Sequence, residues 1–215
     1  MSGLGYSCAG FEILYKVPLG DRLSINVCKD VYAPSDDTFL AVNAISELKE
    51  KKGSPLRVCI DIGTGSGVLG IYCAKKLRPV YTVLIDINPC ALYCSKINIR
   101  ENELFLTDII QCDNATCLRP GLRDAFIVYN TPYLPVKDEG LLGLAWSGGL
   151  REANRFVQQV ISVLSRGCIV VVYSSLSGDD SELILRLRLS GFNTVIRKIH
   201  VFFEDIKAVI GCKGG

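Results

Sequence analysis

From about residue 55 onward, short apolar runs alternate with stretches whose apolar residues recur at helical spacing. Arg57–Asp61 (RVCID), Val80–Asp86 (VYTVLID), Thr107–Cys112 (TDIIQC), Ala125–Asn130 (AFIVYN) and Cys168–Tyr173 (CIVVVY) read as buried strands. Helices are expected between them over Gly67–Leu77, Pro89–Glu101 and Glu152–Leu164. Strands that are apolar throughout, separated by helices, indicate a parallel sheet covered on both faces. Beyond Ser181–Ser190 the tail offers Asn193–Lys198 and Ile206–Cys212 as a closing strand pair. The expected fold class is therefore α/β: a doubly wound, mostly parallel, seven-stranded Rossmann-like sheet with an antiparallel closing strand.

The first 40 residues break this rhythm. Val17–Asp30 reads as an irregular or hairpin segment, and Ala33-Pro34-Ser35-Asp36-Asp37-Thr38 leads into a helix over roughly Asp37–Lys51. A proline and acids at a helix start are ordinary capping chemistry. At 215 residues, and with about 150 residues to a domain, one domain is expected, with residues 1–40 as an N-terminal extension and 41–215 as the main fold.

Composition narrows the class. Hydrophobic residues make up 49% and charged residues 21%, which excludes a disordered polar chain. The net charge of +2 is spread evenly over both halves, whereas a dedicated nucleic-acid binder carries a basic domain or stripe. No run of about 18 apolar residues is present, so no spanning helix and no membrane partner are expected. A basic segment followed by an apolar one is lacking at the N-terminus, and a cytoplasmic location is expected.

There are ten cysteines and one histidine, His200. No cysteine pair has C-x-x-C spacing, so no resident metal is expected. Cys59, Cys112 and Cys168 fall in strand-like runs and read as small buried hydrophobes. Disulfides are rare in cytosolic proteins outside hyperthermophiles, and the sequence leaves that redox state open.

The strongest local signal is Asp61-Ile62-Gly63-Thr64-Gly65-Ser66-Gly67, directly after the first of these strands and before a helix. Alternate glycines let the backbone turn sharply and approach a ligand, and the helix behind them presents free N–H groups. Two registers fit. Gly65-Ser66-Gly67-Val68-Leu69-Gly70 is a literal G-x-G-x-x-G dinucleotide fingerprint, with Asp86 at the ribose position. Asp61 to Gly67 is D-x-G-x-G-x-G, which resembles the first motif of class I S-adenosylmethionine-dependent methyltransferases. Asp86 serves both.

The strand ending in Asn130-Thr131-Pro132-Tyr133 discriminates between them. Ligands of open parallel sheets bind beyond the carboxyl ends of the strands, so this tetrapeptide belongs beside the glycine loop. A planar amide or aromatic amine is a poor nucleophile because its lone pair is delocalised. The Asn130 side-chain oxygen and the carbonyl of Thr131 offer two acceptors for its N–H groups, which would aim the lone pair at a methyl donor. Pro132 confines residue 131 to extended geometry, and Tyr133 offers a ring to pack against the planar group. Catalysis of this kind is orientation plus electrostatic stabilisation, without a strong base.

With these residues in order, the chain resembles a HemK-type glutamine methyltransferase in its short archaeal and eukaryotic form, over nearly its whole length. The resemblance is carried by Val31-Tyr32-Ala33-Pro34-Ser35-Asp36-Asp37-Thr38-Phe39, the glycine loop, Asp86, Asp113, Asn130 to Tyr133, and Ala145-Trp146-Ser147-Gly148-Gly149. It implies methylation of the side-chain amide of the glutamine in the Gly-Gly-Gln loop of a class-1 translation release factor, with S-adenosyl-L-methionine as cofactor. It places Thr38 at the methionine end of the cofactor, Asp61, Gly63 and Gly65 along its loop, Asp113 and Asn114 at the adenine, and Asn130 at cofactor and target amide together. Asn130, Pro132 and Tyr133 are then the catalytic set. The family reads Asn-Pro-Pro-Tyr where this chain has Thr131, a departure expected to leave the acceptor less rigid.

The resemblance also implies a small zinc-binding activator subunit, forming a heterodimer by pairing near the apolar third strand, Leu104 to Ile110. Other classes remain beside it: adenine-N6 methylation of DNA or RNA through the same tetrapeptide, a non-catalytic subunit favoured by Thr131, and a dehydrogenase favoured by the literal fingerprint. Trp146 and the glycines after it are candidates for a loop at the substrate mouth. Arg186, Arg188, Arg197 and Lys198 read as a solvated face, and His200 as structural.

Overall fold

The structure, a computed structural model, describes residues 8, 10–20, 23–49, 56–133 and 148–214. In chain order the elements are β1 (Ile13–Gly20), β2 (Leu23–Cys28), α1 (Asp36–Lys49), β3 (Val58–Ile62), α2 (Val68–Lys76), β4 (Tyr81–Asp86), α3 (Pro89–Glu101), β5 (Thr107–Gln111), β6 (Ala125–Asn130), α4 (Leu150–Val163), β7 (Gly167–Ser174), α5 (Ser181–Leu189), β8 (Asn193–Val201) and β9 (Glu204–Lys213). The five apolar runs form β3 to β7, their ends displaced by one residue at most. Burial explains this legibility: Ala125 to Tyr129 are all buried, as are Ile169 to Ser174, so neither strand has a polar face to blur its limits.

The main sheet has seven strands in the order β5-β4-β3-β6-β7-β9-β8. β5, β4, β3, β6 and β7 pair in parallel, and β9 is antiparallel to both of its neighbours. The chain leaves β8 by a tight turn and returns as β9 into the slot beside β7. One face is covered by α4 and α5, where Phe156, Val157, Val160 and Leu183 pack with Ile127, Ile169 and Val171. On the other, Leu40, Ile45, Leu69 and Ile71 of α1 and α2 meet Val128 and Val170. Strand order reverses between β3 and β6, which is where an open sheet of this kind leaves a crevice for a ligand.

The N-terminal segment is a hairpin, β1 with β2, outside the main sheet. It lies on α3, whose side chains satisfy part of the β2 backbone. Asn98 Oδ1 accepts from Asn26 N at 2.8 Å, and Asn98 Nδ2 donates to Asn26 O at 2.9 Å and to Ser66 O at 2.8 Å. Asn102 Nδ2 donates to Ser24 O at 2.8 Å.

Disulfides fasten this arrangement. Cys8 pairs with Cys90 and Cys28 with Cys94, joining the N-terminal segment to α3. Cys168 pairs with Cys212 across β7 and β9. The reading of Cys168 as a small buried hydrophobe is thereby corrected: it faces its register partner Cys212. Cys59 and Cys112 are buried free thiols.

β5 is a sheet edge, with Phe105 90% and Leu106 62% exposed just before it. Arg186, Arg197 and Lys198 are each held by an acid, Glu182, Glu47 and Asp205 respectively. His200 also contacts Asp205, at 3.0 Å. Among the described residues, no helix is long and apolar enough to cross a membrane.

Candidate active site

A cavity of about 810 Å³ opens at the carboxyl ends of β3, β4 and β6, within the range of small-ligand sites. Its floor is the glycine loop. Gly63 has φ +61°, and a Cβ there would lie 2.8 Å from the Tyr129 ring, so a side chain would collide with the cavity floor. α2 starts at Val68 after Gly67, whose missing side chain offers no cap; Gly70 N is taken by Asp61, and the N–H groups ahead of it are left for a ligand or water.

Asp86 closes β4 beside this loop. Its Oδ2 accepts from Gly65 N and its Oδ1 from Asn88 N, each at 2.9 Å. Burial raises its pKa against these hydrogen bonds. A carboxylate has about four acceptor sites, so lone pairs remain for two further hydroxyl donors.

Asp61 does not line the cavity, contrary to its expected place along the cofactor. It lies fully buried behind the loop, where Oδ2 accepts from Thr64 Oγ1 at 2.7 Å and Gly70 N at 2.8 Å. It therefore braces the loop against α2. Oδ1 is buried without a partner, and burial pushes the pKa up to about 7.

Thr38, Gly63, Gly65, Asp86, Asp113, Asn114, Asn130, Pro132 and Tyr133 all line the cavity. Asp113 is gripped by Arg155 of α4 through both carboxylate oxygens, at 2.9 and 2.5 Å. Asn114, at φ +54°, caps Ala115 N with Oδ1 at 2.8 Å, and its Nδ2 is a buried donor without a partner. Asn130 Oδ1 is likewise a buried acceptor without a partner. Unpaired buried polar atoms are uncommon in proteins, and these two belong to residues of one cavity wall.

Thr131 is not the loose position expected from the loss of proline. It is buried, and its Oγ1 and backbone N–H both donate to Val172 O, at 2.7 and 3.1 Å. The β-hydroxyl thus fixes the segment to β7. Tyr133 is held at both ends: its hydroxyl donates to Asp37 Oδ2 at 3.0 Å, and its carbonyl accepts from Ser177 Oγ at 2.7 Å. Gly148 closes against this segment, since a Cβ there would lie 2.9 Å from Pro132 O. Ala145, Trp146 and Ser147 lie outside the described residues.

The sequence reading gives Tyr32 and Asp37 no site role beyond the motif and the helix cap, and does not single out Arg155. Tyr32 donates to Asp37 Oδ2 at 3.0 Å, and Asp37 Oδ1 accepts from Thr38 N at 2.5 Å and Thr38 Oγ1 at 3.1 Å. Burial, reinforced by the Asp37 charge, pushes both phenols above their ordinary range. Asp37 is only 2% exposed, so it is no solvated capping acid.

The family profile described as "Methyltransferase small domain" matches residues 42–173. The chain is 30% identical over 202 residues to a putative protein N5-glutamine methyltransferase of Methanocaldococcus jannaschii, covering 88% of this chain and 95% of the relative. It is a HemK-type methyltransferase. Human methyltransferase HEMK2 is 30% identical over 184 residues, 80% of this chain and 84% of its own length. The methyltransferase also shares the fold of E. cuniculi Mtq2 in the Mtq2–Trm112 complex responsible for methylation of the eRF1 translation termination factor, with a TM-score of 0.65 and 21% identity over 86% of this chain and 99% of that one. Methanocaldococcus (M. jannaschii) TYW2 in complex with AdoMet overlays with a TM-score of 0.63 and 16% identity, over 97% of this chain and 89% of that one.

Proposed function

We propose that this enzyme transfers a methyl group from S-adenosyl-L-methionine to the side-chain amide nitrogen of the glutamine in the Gly-Gly-Gln loop of a class-1 translation release factor. The observation that carries the reading is the unpartnered acceptor Asn130 Oδ1, on a cavity wall shared with the glycine loop. Relatives named for the same chemistry support it, including a Clostridium acetobutylicum release factor glutamine methyltransferase, 34% identical over 209 residues.

The residues present suit the cofactor. Asp86 has acceptor capacity for ribose hydroxyls, Asn114 Nδ2 is an unmet donor at the adenine position, and Gly63 and Gly65 admit close approach. Thr38 stands at the methionine end. Bound there, the cofactor supplies an electrophilic methyl on a sulfonium. Asn130 Oδ1 and the Thr131 carbonyl would accept the two amide N–H groups, turning the nitrogen lone pair toward that methyl. Both acceptors strengthen as positive charge develops on nitrogen, and they favour the transition state over the bound amide. The methyl group would pass from that sulfonium sulfur to the amide nitrogen so held, and the surplus amide proton would leave to water. Pro132 and the Tyr133 ring fix the plane of the amide.

A small zinc-binding activator subunit is proposed at the β5 edge. The exposed Phe105 and Leu106 support this, since bare apolar sheet edges invite pairing. One domain over 1–215 and a cytoplasmic location belong to the same proposal, with the disulfides of the kind that intracellular proteins of hyperthermophiles keep.

The test is incubation with labelled S-adenosylmethionine, with and without the co-purifying partner, against release factor and against nucleic acid. Label in the factor, abolished when its Gly-Gly-Gln glutamine is replaced, is the expected result. Label in nucleic acid alone overturns the reading.

A further inference from the structure

The turn between β8 and β9 presents two bare aromatic rings. Phe202 and Phe203 are 89% and 81% exposed, and Phe202 has φ +54°. Tight hairpin turns favour glycine, asparagine or aspartate at left-handed positions, so folding alone does not call for phenylalanine here.

The position of the turn is informative. Asp205 N donates to Ser175 Oγ at 2.9 Å, and Ser174 Oγ is hydrogen-bonded to Glu204. Two residues on, Ser177 lines the cavity and bonds the Tyr133 carbonyl. Leu176, between these contacts, is 43% exposed. The turn is thus hydrogen-bonded to the 174–177 segment, which in turn bonds the acceptor motif at the cavity wall.

We propose that Phe202, Phe203 and Leu176 form a docking edge for the folded body of the protein substrate, gripping an apolar segment beside the loop that enters the cavity. The proposal rests on the release-factor reading and adds to it the surface that selects the factor. Charge argues for a protein rather than a nucleic acid: Lys198 and His200 are engaged by Asp205 and Lys207 by Asp180, leaving little cationic surface beside the rings for phosphates. Large rigid aromatics are also favoured anchors of protein interfaces.

The test is the double variant Phe202→Asn with Phe203→Ser, assayed with the partner subunit present on whole release factor and on a short Gly-Gly-Gln loop peptide. KM for the factor is expected to rise tenfold or more, with kcat, peptide kinetics, cofactor Kd and Tm unchanged. An unchanged KM for the factor overturns the docking edge while methyl transfer by the unaltered enzyme upholds the function. Equal losses on factor and peptide overturn it too, since the turn would then shape the cavity. A dimer of the unaltered chain that the variant abolishes, with KM unchanged, assigns the rings to a second copy instead. If the unaltered enzyme never methylates the factor, the functional reading and this occupant fall together.

Discussion

The hydroxyl of Tyr133 donates to Oδ2 of Asp37 at 3.0 Å, across 96 residues of chain. The contact joins the start of α1 to the acceptor motif after β6, and the Tyr32 hydroxyl on the same oxygen completes a buried cluster. A carboxylate accepting both phenols fixes the ring that bounds the amide site.

Tyr133→Phe keeps the ring and loses the tether. It should lower stability by about 1.5–3 kcal/mol, the usual cost of a hydrogen bond to a charged group, and lower kcat more than cofactor affinity. Asp37→Ala releases both phenols and the Thr38 contacts, so it should weaken cofactor binding as well. Denaturant melts and calorimetric titration separate the two, and equal cofactor Kd values for Asp37→Ala and the unaltered protein would contradict the assignment.

Asn130→Ala removes an acceptor used chiefly in the transition state. A loss on the order of a hundred-fold in turnover is expected, as for other single preorganised polar groups, with a smaller change in cofactor Kd. Single-turnover methylation at saturating cofactor checks this. Full activity would reduce the motif to a structural turn.

Thr131→Val keeps the backbone N–H and removes the hydroxyl bond to Val172 O. About 1 kcal/mol of stability should be lost, and activity should fall with it because the neighbouring carbonyl is less firmly aimed. Thr131→Pro restores the family residue but deletes both donors to Val172 O, so it should be less stable than the native chain. A Tm at or above that of the unaltered protein would show that the Val172 tether contributes nothing.

Asp61 predicts a pH effect. Its pKa is about 7 in the folded protein against 3.8 for the free side chain, because burial disfavours the charge. The folded state therefore holds this proton more tightly. Stability from the group is complete below about pH 4 and is lost as pH rises through about 7. Asp61→Asn cannot ionise, so its stability relative to the native chain should climb between pH 4 and 8. Parallel urea melts across that range test this, and a constant difference would refute it.

The central strands β3, β6 and β7 were legible because they are buried almost throughout and read as nearly unbroken apolar runs. β1 was not: its outer half, Ile13 to Lys16, is exposed, so apolar character there marks no core, and only Val17 onward read as a hairpin. Asp37 reads only as a cap in the sequence because an acid at a helix start satisfies capping chemistry equally well. Only the tertiary approach of Tyr133 shows its second duty. Arg155 carries no motif, since any basic residue on that helical face looks solvated until Asp113 meets it. The cysteine pairs were unreadable because connectivity depends on which segments approach in space.

Asn98 has one more consequence. A single side-chain nitrogen bonds both the hairpin backbone at Asn26 O and the glycine loop at Ser66 O. Local unfolding of the N-terminal hairpin and relaxation of the loop beneath the cavity therefore share a latch. Coupling between two such sites is reciprocal: occupancy of the cavity must slow amide hydrogen exchange in β2, whose residues do not line it. Loosening the hairpin must in turn shorten the residence time of whatever the loop holds. The β1–β2 hairpin is in this sense a thermodynamic handle on the pocket, working through Asn98 from outside the cavity lining.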